Sequence, residues 1–148
     1  MALFISVVLT LALVSATVLI HYEALRGTQV LVSHLTIPAR TQILVVIGGL
    51  FVAHGVEICL YAVVFYLMHH HFGLGGLSGE TSGDLLDYFY FSATSYTTLG
   101  VGVLFPNGPL RVTSGIEALN GFILIGWSAS FTYLTMEQSW DRQSPEVR

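Results

Sequence analysis

The sequence predicts an all-α membrane protein: three transmembrane helices, with a shorter re-entrant helix between the second and the third. Three observations point there. Of the 148 residues, 53% are hydrophobic and only 9% are charged, against roughly 25% charged in an ordinary soluble domain. Mean hydropathy is +0.72. The apolar residues gather in long runs, and about 20 such residues in a helix cross a bilayer.

A chain of this length holds one compact unit. Its net charge is -4 and its five basic residues are all arginine, which leaves no electrostatic footprint for nucleic acid. The expected partners are lipid, ions and further copies of the chain. Cys59, alone in an apolar run, cannot form an intrachain disulfide and reads as a small core residue.

Residues 2–20 (ALFISVVLTLALVSATVLI) carry no charge and reach about 28 Å as a helix, so 1–21 reads as an N-terminal transmembrane helix. A signal peptide is the weaker reading. No positive segment precedes the run, and it exceeds the usual apolar region of about 7 to 15 residues. Residues 22–41 follow as a cytoplasmic loop, and 42–68 as the second crossing.

The glycine-rich polar loop HHHFGLGGLSGETSGD comes next, then the apolar piece LLDYFYFSATSYT. Residues 84–97 are too few to span a bilayer and read as the re-entrant helix. Asp84 and Asp87 fall in its first turn, where carboxylates suit the positive end of the helix dipole. Residues 112–135 form the third crossing and 137–148 a short tail. Arg26 and Arg40 in the first loop and Arg142 and Arg148 in the tail then share a side. That side is taken as the cytoplasm, with the N-terminus outside. Trp140, Tyr88 and Tyr90 stand where interfacial anchors would, although simple packing also places aromatics there.

Between the short helix and the last span lies SYTTLGVGVLFP, residues 95–106, without a charge. Its glycines weaken a helix by about 1 kcal/mol each and open backbone angles closed to other residues. Non-helical backbone at membrane depth survives only where protein buries it or where it lines a water-filled path. One chain with three spans cannot enclose such a path, so several copies must meet around an axis. Without a Cβ at Gly100 and Gly102, the carbonyls of Thr98, Leu99, Gly100 and Val101 can turn toward that axis, where rings of carbonyl oxygen replace the water around a cation. The Thr98 hydroxyl can add one more ring at the inner end.

At these residues the sequence resembles the pore domain of the potassium channel family. TTLGVG matches the filter pattern T-T-x-G-Y-G, and Pro106, Arg111, Gly121 and Gly126 follow at matching places. The resemblance covers roughly residues 42–136. It implies an outer helix (42–68), a pore helix (84–97), a selectivity filter (98–102) and an inner helix (112–135), assembled as a homotetramer. The likeness is strongest to small prokaryotic pore modules that carry an additional N-terminal helix. It further implies potassium held at the carbonyls of Thr98, Leu99, Gly100, Val101 and Gly102, and Tyr90, Phe91, Thr94, Thr97 and Val103 as the support around them. Val101 replaces the usual aromatic and Val103 the usual aspartate, so the bracing hydrogen bonds of those side chains are missing. The resemblance favours potassium as the permeant ion, while the two substitutions leave room for sodium as a second.

Gly121 and Gly126 read equally as an inner-helix hinge and as points of close helix approach. Asn120 is placed at the cavity beneath the filter, ahead of a hydrogen bond to a neighbouring helix. His54 and Glu57 share one helix face, and Glu117 stands one turn before Gly121. Charges this deep cost on the order of 2.5 to 3.5 kcal/mol, so the three are expected to form a buried polar cluster. A structural role leads there, ahead of a proton-sensitive gate. A metal site comes last, because two ligands on one helix leave the coordination shell half empty. His69, His70 and His71 read as a solvated cap, since adjacent positions cannot all aim at one ion.

No enzyme is expected. GWSAS around Ser128 is not the G-x-S-x-G elbow and no phosphate loop occurs; an intramembrane hydrolase pairing Ser128 with a distant histidine is a remote alternative. The expected function is a tetrameric channel for monovalent cations that needs no cofactor. A non-selective cation channel and a non-conducting accessory or scaffold protein are the alternatives.

Overall fold

A computed structural model describes residues 1–141 as four helices and a two-stranded ribbon: α1 (Ala2–His34), α2 (Ala39–His70), β1 (Leu77–Gly79), α3 (Leu85–Tyr96), β2 (Leu104–Pro106) and α4 (Leu110–Asp141). Arg142, Arg148 and most of the expected tail 137–148 lie outside the described residues, as does the side chain of Trp140.

The first helix is longer than expected. Residues 22–34 of the expected loop 22–41 are helical, because nothing in HYEALRGTQVLVSH breaks the backbone ladder. The connection shrinks to 35–38. Pro38 ends it: the residue before a proline is driven out of the helical region, and Pro38, with φ -56, caps the start of α2. Beyond the apolar run, Glu23 and Arg26 pair at 3.3 Å on the exposed face.

The packed stripe of α1 runs Ser6, Thr10, Leu13, Thr17, His21, Leu25 and Thr28, spaced three or four apart. Most of these side chains are polar, while Leu3, Phe4, Val8, Leu11 and Leu19 are exposed. A helix on a soluble domain does the reverse, hiding its apolar face. Hydroxyls inward and aliphatics outward suit lipid as the solvent, with interhelical hydrogen bonds worth about 0.6 kcal/mol each holding the bundle.

Those bonds run from α1 to α4. Thr113 lies within hydrogen-bond reach of Ser6 (3.1 Å) and Thr10 (2.9 Å), and Asn120 donates to Thr17 (2.8 Å). The α4 stripe that meets them is Leu110, Thr113, Glu117, Asn120, Leu124 and Ser128, all buried, while Leu119, Phe122 and Ile123 on its other side are exposed. Among the described residues two helices, Ala2–His34 and Arg40–His70, are long and apolar enough to cross a membrane. The expected third, α4, has 32 residues but a more polar sequence.

The core gathers Tyr61, Phe65, Met68, Tyr88, Phe91, Tyr96 and Leu124 where α2, α3 and α4 meet. Phe91 stands edge-on to Phe65, with centroids 5.5 Å apart. Tyr88, read as an anchor or a packed ring, is fully buried. Cys59 is a correction: it is exposed rather than in the core, beside Val63 and Leu86.

The glycine-rich loop holds more order than its composition announces. Leu77, Ser78 and Gly79 pair antiparallel with Pro106, Phe105 and Leu104. The chain leaving 98–102 is thus tied to the loop that precedes α3. His69 also departs from a free cap, for its Nδ1 is bonded to the Tyr88 hydroxyl. His70 stacks on Tyr66 at 4.2 Å, and His71 stays exposed.

Candidate functional site

The segment after α3 leaves helical geometry one residue on, after Thr97. Thr98 (φ 59), Gly100 (φ 55) and Gly102 (φ 78) are left-handed, while Leu99 and Val101 between them are not. Left-handed backbone is open to glycine and strained for a β-branched threonine, at a cost on the order of 1–3 kcal/mol. The end of α3 holds it: Thr98 N–H donates to Ser95 O (2.9 Å) and Gly100 N–H to Thr94 O (3.1 Å). Residues 97–102 are all exposed in the single chain.

A groove of about 400 Å³ runs along this segment, with Tyr90, Phe91 and Thr94 of α3, Val103 beyond it, and Ser114 of α4 among its walls. Of the five residues expected as support, Tyr90, Phe91, Thr94 and Val103 line the groove, and Thr97 turns its hydroxyl back to Ala93 O (2.7 Å).

Helix α3 is aimed by its two ends. At the first, Asp87 reaches back over the loop and accepts from Thr81 Oγ1 (2.9 Å), Ser82 Oγ (2.9 Å), Ser82 N–H (2.6 Å) and Gly83 N–H (3.0 Å). The Thr81 hydroxyl, followed by that of Ser82, holds its carboxyl below the usual carboxylate range. At the other end, Gly121 of α4 lies under the last turn, and a Cβ there would stand 2.2 Å from Tyr96 O.

Below that end the structure builds a buried polar ring. His21 Nδ1 meets Glu57 Oε1 at 3.0 Å, and His54 Nδ1 meets Glu57 Oε2 at 3.2 Å. The Nε2 atoms of His21 (3.2 Å) and His54 (2.9 Å) both face Ser128 Oγ. The Tyr96 hydroxyl donates to Glu57 and lies 2.9 Å from His54 Nδ1. Helices α1, α2, α3 and α4 each supply a member.

Residues 53–138 match a family model described as "Ion channel". The chain belongs to that ion-channel family, of the two-transmembrane potassium channel pore type. No curated protein and no solved structure matched the chain. The match takes in most of α2, all of α3, the 98–102 segment and nearly all of α4, and leaves α1 outside.

Within this ion channel several expected residues fall elsewhere. Asn120, expected at the cavity, is buried against the outer helices, donating to Thr17 Oγ1 (2.8 Å) and Tyr61 Oη (3.2 Å). The reason is its register: it falls on the packed stripe of α4, seven residues from Thr113. Glu117 does not join His54 and Glu57. It accepts from Ser92 Oγ of α3 at 2.6 Å, and its Oε2 is buried without a hydrogen-bond partner among the described residues. Gly121 serves close approach, whereas a Cβ on Gly126 would meet nothing within 4 Å.

His21 is the member of the ring that sequence reasoning missed. The signal was present: His21 continues the spacing of Ser6, Thr10, Leu13 and Thr17 on one helix face, and an ionisable residue at the end of an apolar run needs a partner. Ser128 does meet histidines, in the connectivity of a serine–histidine–carboxylate relay. It is buried inside α4, where the N–H groups that an oxyanion would need are already bonded along the helix.

Proposed function

We propose that this ion channel conducts monovalent cations, with potassium favoured, through a central pore formed by residues 98–102 of four copies. The alternation of left-handed backbone at Thr98, Gly100 and Gly102 carries this reading. In extended chain successive carbonyls point to opposite sides; reversing every second residue brings them to the same side, as a ladder of oxygen ligands requires. Exposure of the whole segment in one chain calls for further copies, since bare backbone has no place in hydrocarbon. The pore helix aims the negative end of its dipole at the base of that ladder, where a cation sheds water.

In this reading α4 is the third crossing and the inner helix, and exposed Leu119, Phe122 and Ile123 meet the neighbouring copies or the lipid. The N-terminus lies outside and the C-terminus in the cytoplasm of the cell membrane. Val101 and Val103 leave the ladder without side-chain bracing, but the ribbon of β1 and β2 ties down its outer end through the backbone. Native mass spectrometry from nanodiscs tests the assembly: a mass of four chains is expected, and a chain that stays monomeric while it passes ions would overturn the central pore.

A further inference from the structure

Two ligands on one helix are too few for a metal site, and α1 supplies a third. His21, His54 and Glu57 each offer a donor atom, all within 4.8 Å of one another. We propose that these residues bind a divalent first-row transition ion of the zinc class inside the membrane, through Nδ1 of both histidines and the Glu57 carboxylate, with a water at the fourth position.

The first argument is a count of hydrogens. The contacts of His21 Nδ1 and His54 Nδ1 with Glu57, of Tyr96 with Glu57, and of both Nε2 atoms with Ser128 need one hydrogen each. Two neutral imidazoles and two hydroxyls supply one fewer than the contacts require. With Glu57 ionised, the ring is thus short by one positive charge, and a buried polar ring left unsatisfied is costly.

The second is donor chemistry. Two imidazoles and a carboxylate are a common set for zinc and its neighbours, which leave a fourth position to water, and the Nε2 atoms of both imidazoles stay within hydrogen-bond reach of Ser128 Oγ, which orients the rings. Donors around a tetrahedral ion lie about 3.3–3.6 Å apart, so the ring closes on an ion with movements of about 1 Å. The Tyr96 hydroxyl on Glu57 is the kind of outer partner that orients a ligand, and the Trp127 ring, 5.5 Å from that of His21, covers one side.

The third is what the ion would join. It would bind α1 to α2 directly, and the contacts of both imidazole Nε2 atoms with Ser128 carry the link on to α4, two turns beyond Gly121. That ties the helix outside the family match to the helix proposed to line the pore. The site is separate from residues 98–102 and its occupancy does not depend on the conduction reading.

Metal content of the full-length protein, purified without chelator, is the test, followed by removal of the metal and titration with Zn²⁺ and Co²⁺. Expected are one equivalent of metal per chain, the intense visible absorption of tetrahedral Co²⁺, and at least tenfold weaker binding in His21→Gln and Glu57→Gln. A double variant, His70→Ala with His71→Ala, removes the exposed histidines and should bind as the wild type does. The wild-type cobalt spectrum does not depend on any variant folding. Absence of metal and of the cobalt spectrum would overturn the site, even with flux intact. So would metal binding that survives Glu57→Gln and disappears in the double variant, stabilisation by protons alone, or covalent labelling of Ser128 by a fluorophosphonate probe.

Discussion

Gly121 of α4 lies directly beneath the main-chain carbonyl of Tyr96, so close that a Cβ would stand 2.2 Å from the oxygen. The contact is backbone against backbone and cannot be relieved by a side-chain rotation. The last turn of α3, and with it the start of the 98–102 segment, therefore rests on a residue without a side chain. Gly121→Ala should lower stability by about 1–3 kcal/mol, the range for overpacking. Gly126→Ala, with open space around it, should change little. Thermal midpoints in detergent compare the two, and a hinge role alone would leave both midpoints unchanged.

The 98–102 segment depends on backbone sign rather than on volume. Gly100, at φ 55, has open space where a Cβ would stand, with no atom within 4 Å, so Gly100→Ala suffers conformational strain of about 1–2 kcal/mol without a clash. The expected result is a folded protein whose cation flux falls at least tenfold. Helical content by circular dichroism with flux from the same preparation checks it.

Asn120 belongs to the ladder between α1 and α4. A double-mutant cycle of Thr17→Val with Asn120→Ala should show a coupling of about 0.6 kcal/mol, up to about 1.7 kcal/mol, as interhelical hydrogen bonds in membranes do. Ion selectivity should stay as in the wild type. A change in selectivity without coupling would put Asn120 back at the cavity.

Asp87 makes the loop before α3 sensitive to acid. Its folded carboxyl lies below the ordinary range because Thr81 and Ser82 bond the ionised form. Its contribution is thus present above the unfolded carboxylate pKa and lost as pH falls through the lower folded value. Amide exchange at Ser82 and Gly83 should quicken, relative to neighbouring amides, only at pH below the usual carboxylate range. Asp87→Asn should remove that pH dependence.

Helices α2 and α4, the short helix α3 and the glycine segment were legible because each rests on a local signal: apolar run length, the first-turn carboxylates, and glycine where no helix is served. The long α1 was not. Its polar residues after position 20 looked like an exit from the membrane, although nothing before Pro38 stops a helix. The hairpin of β1 and β2 was hidden by its length, three residues a strand, too few for an alternation to register. Asn120 and Glu117 were assigned by chain position, but their partners were fixed by the register of α4 against Thr17 and Ser92. The ring at Glu57 needed His21, more than thirty residues away in sequence, and no local pattern pairs residues at that range.

The most direct test of the central claim is flux into liposomes of the purified protein, with potassium or sodium as the only permeant cation and barium as blocker. Barium-sensitive potassium flux exceeding sodium flux is expected, because carbonyl rings at residues 98–102 supply the ion's ligands. Absence of flux for both ions would contradict the account.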